Sequence, residues 1–341
     1  MVILLDVKGK IMDNLMLKEE ILNLKKELNV SIVAHFYQKD EVFELADFVG
    51  DSLQLAQWAA KDANPNLIFC GVGFMGQSVK ILAPAKRVMM PKIACCAMAR
   101  MIDVDYYDQN IAQLEAAGIK KEDIMPVTYI NSSAEVKARI GQMGGYVCTS
   151  ANAKKIIIKA LESNKKILFV PDRCLGQNIA KEMKLKSCVV GDGSDPKEAD
   201  IICYNGFCSV HQLFDVEDIA FYREKYPDIL ILTHPECKPE VCDQSDFVGS
   251  TSQIIDYVNK LPKEQKVAIG TEYNMIQRLR KENTYVLSST KPECPTMNET
   301  TLQDVYNTLI SIKEGRFENE ITISEETRTW AFAALNRMFE I

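Results

Sequence analysis

The sequence predicts an α/β protein made of three similar three-layer units, each a parallel sheet covered by helices. Three observations carry this expectation. Short β-branched runs recur, each followed by a helical pattern. The runs are apolar throughout rather than alternating, which suits parallel strands buried on both faces. A stretch near the start of the chain also reappears in its second half.

The elements follow in order. Val30-Ser31-Ile32-Val33-Ala34 reads as a strand, and Glu44–Lys61 as helical. Leu67-Ile68-Phe69-Cys70-Gly71 is the next strand. Gly71-Val72-Gly73-Phe74-Met75-Gly76 after it matches the dinucleotide-binding glycine pattern, but no acidic partner follows at the needed distance. It reads instead as a tight strand–helix turn. Pro126–Ile130 is a strand and Ala134–Met143 a helix. Lys166–Pro171, Asp228–Thr233 and Val267–Thr271 are strands, with a helix over Thr251–Lys260. Thr300–Glu314 is helical, and Ser324 is placed as N-cap of a last helix with Glu325 and Glu326 in its first turn.

The repeat is Asp47-Phe48-Val49-Gly50, which returns as Asp246-Phe247-Val248-Gly249. His35 and His234 precede the two aspartates by the same spacing, and Ser52 and Thr251 follow the two histidines by the same spacing. A more diverged copy lies between them, where Tyr129-Ile130-Asn131 ends a strand and Cys148-Thr149-Ser150 opens a helix at Ala151. This gives three units of about 100 residues each. The expected divisions are 1–98 with 305–341, 99–210, and 211–304.

Composition narrows the function. The chain has 341 residues, 40 Lys+Arg against 47 Asp+Glu, and a net charge of −7. At 47% hydrophobic and 26% charged it is a globular protein, not a disordered one. Its cations are scattered, so no nucleic-acid surface is expected. No apolar run approaches the roughly 18 residues of a membrane span. Met1–Asp6 lacks the cationic flank of a signal peptide, so a cytoplasmic location is expected. Eleven cysteines without a C-x-x-C are read mostly as buried thiols, Cys237 and Cys242 among them.

The loops supply chemistry. Helix N-termini bind anions, and open α/β sheets bind ligands at the carboxyl ends of their strands. Ser52, Ser150 and Thr251 are read as helix caps around one central pocket for a small, multiply anionic ligand. His35 and His234 stand at strand ends. Glu236, two residues past His234, is placed as a general base, and His211 lies three residues past Cys208. Cys96, Cys208 and Cys294 are spaced about one unit apart. Three thiolates at a common axis can hold a [4Fe–4S] cluster with one iron open; buried structural thiols are the competing reading.

With these motifs assembled, the chain resembles the quinolinate synthase family along essentially its whole length. The carriers include Ala34-His35-Phe36-Tyr37-Gln38, Gly50-Asp51-Ser52, Cys96-Ala97-Met98-Ala99 and Tyr129-Ile130-Asn131-Ser132-Ser133-Ala134. They continue with Cys148-Thr149-Ser150-Ala151-Asn152-Ala153, Gly206-Phe207-Cys208-Ser209-Val210-His211, His234-Pro235-Glu236, Gly249-Ser250-Thr251-Ser252 and Cys294-Pro295-x-Met297. The resemblance implies units around a pseudo-threefold axis with the active site at their central junction. It implies one [4Fe–4S] cluster per chain on Cys96, Cys208 and Cys294. The implied reaction joins iminosuccinate (iminoaspartate) to dihydroxyacetone phosphate, giving quinolinate, phosphate and two waters, a step of NAD biosynthesis. His35, Ser52, Tyr129, Ile130, Asn131, Ser150, His234, Pro235, Glu236 and Thr251 would bind substrate. Tyr37, Glu236, Tyr129 and His211 would serve the chemistry. A transient contact with L-aspartate oxidase is expected. The alternatives are another [4Fe–4S] hydro-lyase, or a non-catalytic iron–sulfur or anion sensor.

Overall fold

The fold is taken from a computed structural model and is described for residues 4–5, 11–279 and 282–341. Most of the Met1–Asp6 segment discussed above lies outside these residues. A short antiparallel pair, β1 (Leu4–Leu5) with β2 (Ile11–Met12), precedes three parallel sheets.

All three sheets share one plan. In the first, α1 (Asn14–Glu27) leads into β3 (Val30–His35), α2 (Asp40–Phe43), β4 (Phe48–Gly50), α3 (Ser52–Lys61), β5 (Asn66–Cys70), α4 (Gly73–Leu82) and β6 (Arg87–Met89). The strand order is β4-β3-β5-β6. The second runs α5 (Val104–Ala116), β7 (Ile124–Tyr129), α6 (Ala134–Gln142), β8 (Tyr146–Cys148), α7 (Ala153–Leu161), β9 (Lys166–Val170), α8 (Arg173–Glu182), β10 (Ser187–Val189) and β11 (Ile201–Cys203). Its order is β8-β7-β9-β11-β10, with β11 standing where β6 stands in the first sheet. The third runs α9 (Val216–Lys225), β12 (Leu230–Thr233), α10 (Pro239–Asp243), β13 (Phe247–Val248), α11 (Thr251–Lys260), β14 (Val267–Gly270), α12 (Tyr273–Arg278) and β15 (Thr284–Val286), in the order β13-β12-β14-β15. Strands β3, β7 and β14 are buried along their whole length, as apolar runs require.

The repeated aspartates have a structural purpose. The Asp47 carboxylate accepts the Ile32 N–H at 2.8 Å, while its own N–H donates to the Ile32 carbonyl at 2.7 Å. Asp246 makes the same two bonds to Ile231, both at 2.8 Å. Each aspartate thereby fixes the register of the short strand that follows it. This is why Glu44–Lys61 is not one helix: the pinned strand β4 interrupts it, and a capping box between Asp51 and Gln54 starts α3 afresh.

Contacts divide the chain into two compact units, residues 1–95 with 295–323, and residues 96–294 with 324–341. In the first, α13 (Leu302–Lys313) packs Val305 and Leu309 into the core of Leu17, Ile21 and Ile32. In the second, α14 (Glu325–Arg337) lies against α6. The sequence reading groups 305–341 with the first α/β unit, whereas this last helix packs in the second contact unit. Gly141 permits the contact: a Cβ there would stand 1.9 Å from the Trp330 carbonyl oxygen.

Candidate active site

Cys96, Cys208 and Cys294 are held by the same local device. The first N–H of α4, at Gly73, donates to the Ala94 carbonyl at 2.8 Å. The first N–H of α8, at Arg173, donates to Gly206 at 2.9 Å, and that of α12, at Tyr273, to Pro292 at 3.0 Å. In each case the accepting carbonyl lies two residues before the cysteine, and a 3-10 turn follows. This register puts Cys96, and not its exposed neighbour Cys95, in line with Cys208 and Cys294.

The donor set fits an iron–sulfur cluster. The Ala99 N–H donates to the Cys96 sulfur, and the His211 N–H to the Cys208 sulfur, the backbone bonds that stabilise cluster thiolates. Burial pushes the Cys96 thiol up to about 12, and charge on Cys294 and Glu236 adds to it. Burial likewise raises Cys208, helped by Glu236, Cys96 and Cys294. Thiols that oppose one another's ionisation this way become good thiolate ligands once a polycation neutralises them.

Glu236 lies beside this triad and is 3% exposed. Its Oε1 accepts the Tyr129 phenol at 2.6 Å, and its Oε2 stands 3.1 Å from His211 Nδ1. The far side of the His211 ring, Nε2, is 3.1 Å from the Thr271 hydroxyl. The ring of His234 stacks on His211 at 4.6 Å, and its Nδ1 accepts the Glu236 N–H at 3.3 Å. The Cys208 sulfur, a His211 nitrogen and a Glu236 oxygen all lie within 4.8 Å of one another. Burial acts to raise the Glu236 carboxyl, but the charges of His211 and His234 and the bonds from His211 and Tyr129 hold it well below the usual carboxylate range. Glu236 is therefore a fixed anion that orients Tyr129 and His211, and a weak base itself.

The expected cap residues sit one place off. Asp51, not Ser52, caps α3; its carboxylate accepts the Leu53 and Gln54 N–H groups. Ser250, not Thr251, caps α11. Helix α7 starts at Ala153 rather than Ala151, after Asn152, so Ser150 lies in the preceding turn. The residue that folds back to cap is the one in extended conformation, which puts Ser52 and Thr251 at the first helical positions. Ser150 lines a cleft of about 550 Å³ with Pro235, Gly249 and Gln253.

Ile130 is fully buried, and its N–H donates to the Cys148 carbonyl at 2.8 Å. Asn131 next to it carries a buried Oδ1 with no partner. In the first compact unit, His35 ends β3 and its Nδ1 accepts the Tyr37 N–H at 3.1 Å, the same turn that His234 makes with Glu236. The Tyr37 ring meets the His35 ring edge-on at 4.6 Å.

Sequence reasoning missed three buried polar groups here. Thr271 holds His211. Glu272 caps α12 and accepts the Cys294 N–H at 3.3 Å; burial pushes its carboxyl up to about 8. Asp172 caps α8 and keeps one buried oxygen without a partner; burial, then the charge of Glu236, raises it well above the usual range. The signal was present in the numbering, since Val72, Asp172 and Glu272 are the N-caps of α4, α8 and α12.

The family described as Quinolinate synthetase A protein matches residues 19–340. A protein of Helicobacter pylori named quinolinate synthase is 54% identical, over 95% of this chain and 98% of that protein. Its namesake in Caldicellulosiruptor bescii is 40% identical over 95% and 98%. That of Acidobacterium capsulatum is 39% identical over 95% and 92%. The match takes in all three equivalent cysteine loops and the Tyr129–Glu236–His211 cluster, and by it the chain belongs to the quinolinate synthase family.

Proposed function

We propose that this chain is a quinolinate synthase, condensing iminosuccinate with dihydroxyacetone phosphate to quinolinate, phosphate and two waters. The observation that carries the reading is the Glu236 cluster beside three thiols of equivalent register. Cys96, Cys208 and Cys294 would hold one [4Fe–4S] cluster, which when bound supplies a Lewis-acidic iron that draws charge from a substrate oxygen.

The residues supply the rest. Glu236 stays ionised and holds the Tyr129 phenol and the His211 imidazole at fixed angles, so these two groups move the protons of enolisation and dehydration. Thr271 fixes the other ring nitrogen of His211. Asn131, Ser150, His234 and Thr251 bind carboxylate and phosphate oxygens, with Ile130 and Pro235 shaping the loops that carry them. His35 and Ser52 bind anion in the same way, and Tyr37 exchanges protons. Among the described residues no helix is long and apolar enough to cross a membrane. That fits a cytoplasmic enzyme of NAD biosynthesis, receiving its imine from an L-aspartate oxidase in transient contact.

The test is quinolinate formation by protein purified without oxygen, after iron and sulfide are counted. About four of each per chain with product formed is the expected result. A full cluster with no product from the two substrates would overturn it.

A further inference from the structure

Lys137 is the unexpected residue of the second compact unit. It is a lysine with no exposed surface, in the first turns of α6. Burying an ammonium costs free energy, and the N-terminal end of a helix is the unfavourable end for a cation. Lys137 Nζ donates to the Ile130 carbonyl at 2.8 Å and to the Ser132 carbonyl. These two carbonyls flank Asn131.

The geometry has a direct consequence. In a planar trans peptide the carbonyl and the following N–H point opposite ways. With the Ile130 carbonyl turned onto Lys137, the Asn131 N–H is turned away from it, and the lysine polarises that peptide so that its N–H is a stronger donor. The loop is tied down further by Thr128 and Ser132, whose hydroxyls both donate to the Tyr129 carbonyl, at 3.0 and 3.1 Å. Beside this N–H stands the buried, partnerless Oδ1 of Asn131, an acceptor that needs a donor.

We infer that Lys137 is a positioning residue for the α-imino carboxylate end of the four-carbon substrate. Such a group carries an N–H and a carboxylate on one carbon, matching an amide acceptor beside a polarised N–H. A phosphate brings only acceptors. Burial lowers the Lys137 amine to about 7, so an anion bound across the peptide draws a proton onto it. The inference rests on the function proposed above and names the substrate end that this loop reads.

The experiment compares Lys137→Met with the wild-type holoenzyme at saturating concentration of each substrate in turn. The expected result is a KM for the dicarboxylate raised about tenfold or more, with KM for the triose phosphate, kcat and cluster content kept. An active wild type and a variant with unchanged KM for the dicarboxylate would overturn this inference alone. So would a variant losing cluster or kcat in step with KM, which marks a structural role only. Should Lys137→Met fail to fold, Lys137→Gln is read by the same measures, and failure of both assigns Lys137 to the core and overturns the inference. A fully loaded wild type that makes no quinolinate would overturn the parent reading instead, and this one with it.

Discussion

The Tyr129 hydroxyl stands 2.6 Å from Oε1 of Glu236, two buried residues 107 positions apart in the chain. One lies at the end of β7 and the other just past β12. The strand-end loops of the second and third sheets thus share one hydrogen-bonded group, and the same carboxylate takes His211 on its other oxygen.

Replacing Glu236 with Gln keeps the volume but removes the anion. Tyr129 and His211 lose the charge that orients them, and turnover should fall about a hundredfold or more. Iron and sulfide per chain should stay at the wild-type level, because Glu236 is no member of the cysteine triad. Parallel assays of kcat and cluster content check this, and equal loss of both would remove the orienting role.

Serine at Cys96, Cys208 or Cys294 should each abolish the cluster absorbance, while serine at the exposed Cys95 should leave it intact. The distinction comes from the helix-start hydrogen bonds, which put the carbonyl of Ala94 in the register of Gly206 and Pro292. Visible absorption of anaerobically reconstituted variants decides it.

Gly141→Ala should destabilise the second compact unit by roughly 2 kcal/mol or more, since the added methyl meets a backbone carbonyl that cannot rotate aside. Chemical denaturation of the two proteins measures the difference. A midpoint unchanged within error would mean that α14 shifts off α6 freely.

Lys137 sets a pH dependence whose sign can be worked out. Its folded-state amine is lowered to about 7 from the ordinary 10.5, by burial, against the smaller opposing charge of Glu135. Between those values the unfolded chain holds a proton that the folded chain does not, so this group makes stability rise with pH across that window. Below about 7 both states are protonated and the contribution is flat. Lys137→Met should remove this rise, which denaturation midpoints at pH 7 and pH 9 would reveal.

What the sequence made legible follows from the physics of each element. Central strands such as β3, β9 and β14 are buried on both faces and announce themselves as apolar runs. Strands β4 and β13 have only three and two residues, too short for any periodicity; only the repeated aspartate marks them. Capping was read one residue late at Ser52 and Thr251, because adjacent hydroxyl and carboxyl residues all satisfy the composition of a cap and only backbone conformation separates them. The cysteines, histidines and Glu236 stood out because such residues are chemically distinctive at strand ends. Lys137 and Asp172 did not, because a lysine between Glu135 and Arg139 and an aspartate at a helix cap beside Arg173 read as ordinary surface charges, and only the fold buries them.

The three matched cysteine loops also set an order of events in the life of the chain. Each copy shapes its own loop by a bond between a helix start and a carbonyl further along the same copy, so each loop is built from its own segment of the chain. The third belongs to the last of the three copies in chain order. A nascent chain can therefore offer one thiol and later two, and it completes the triad only once the third copy has been made. Loading of a cluster on these thiols would then be a late maturation step, for which all three loops must already stand.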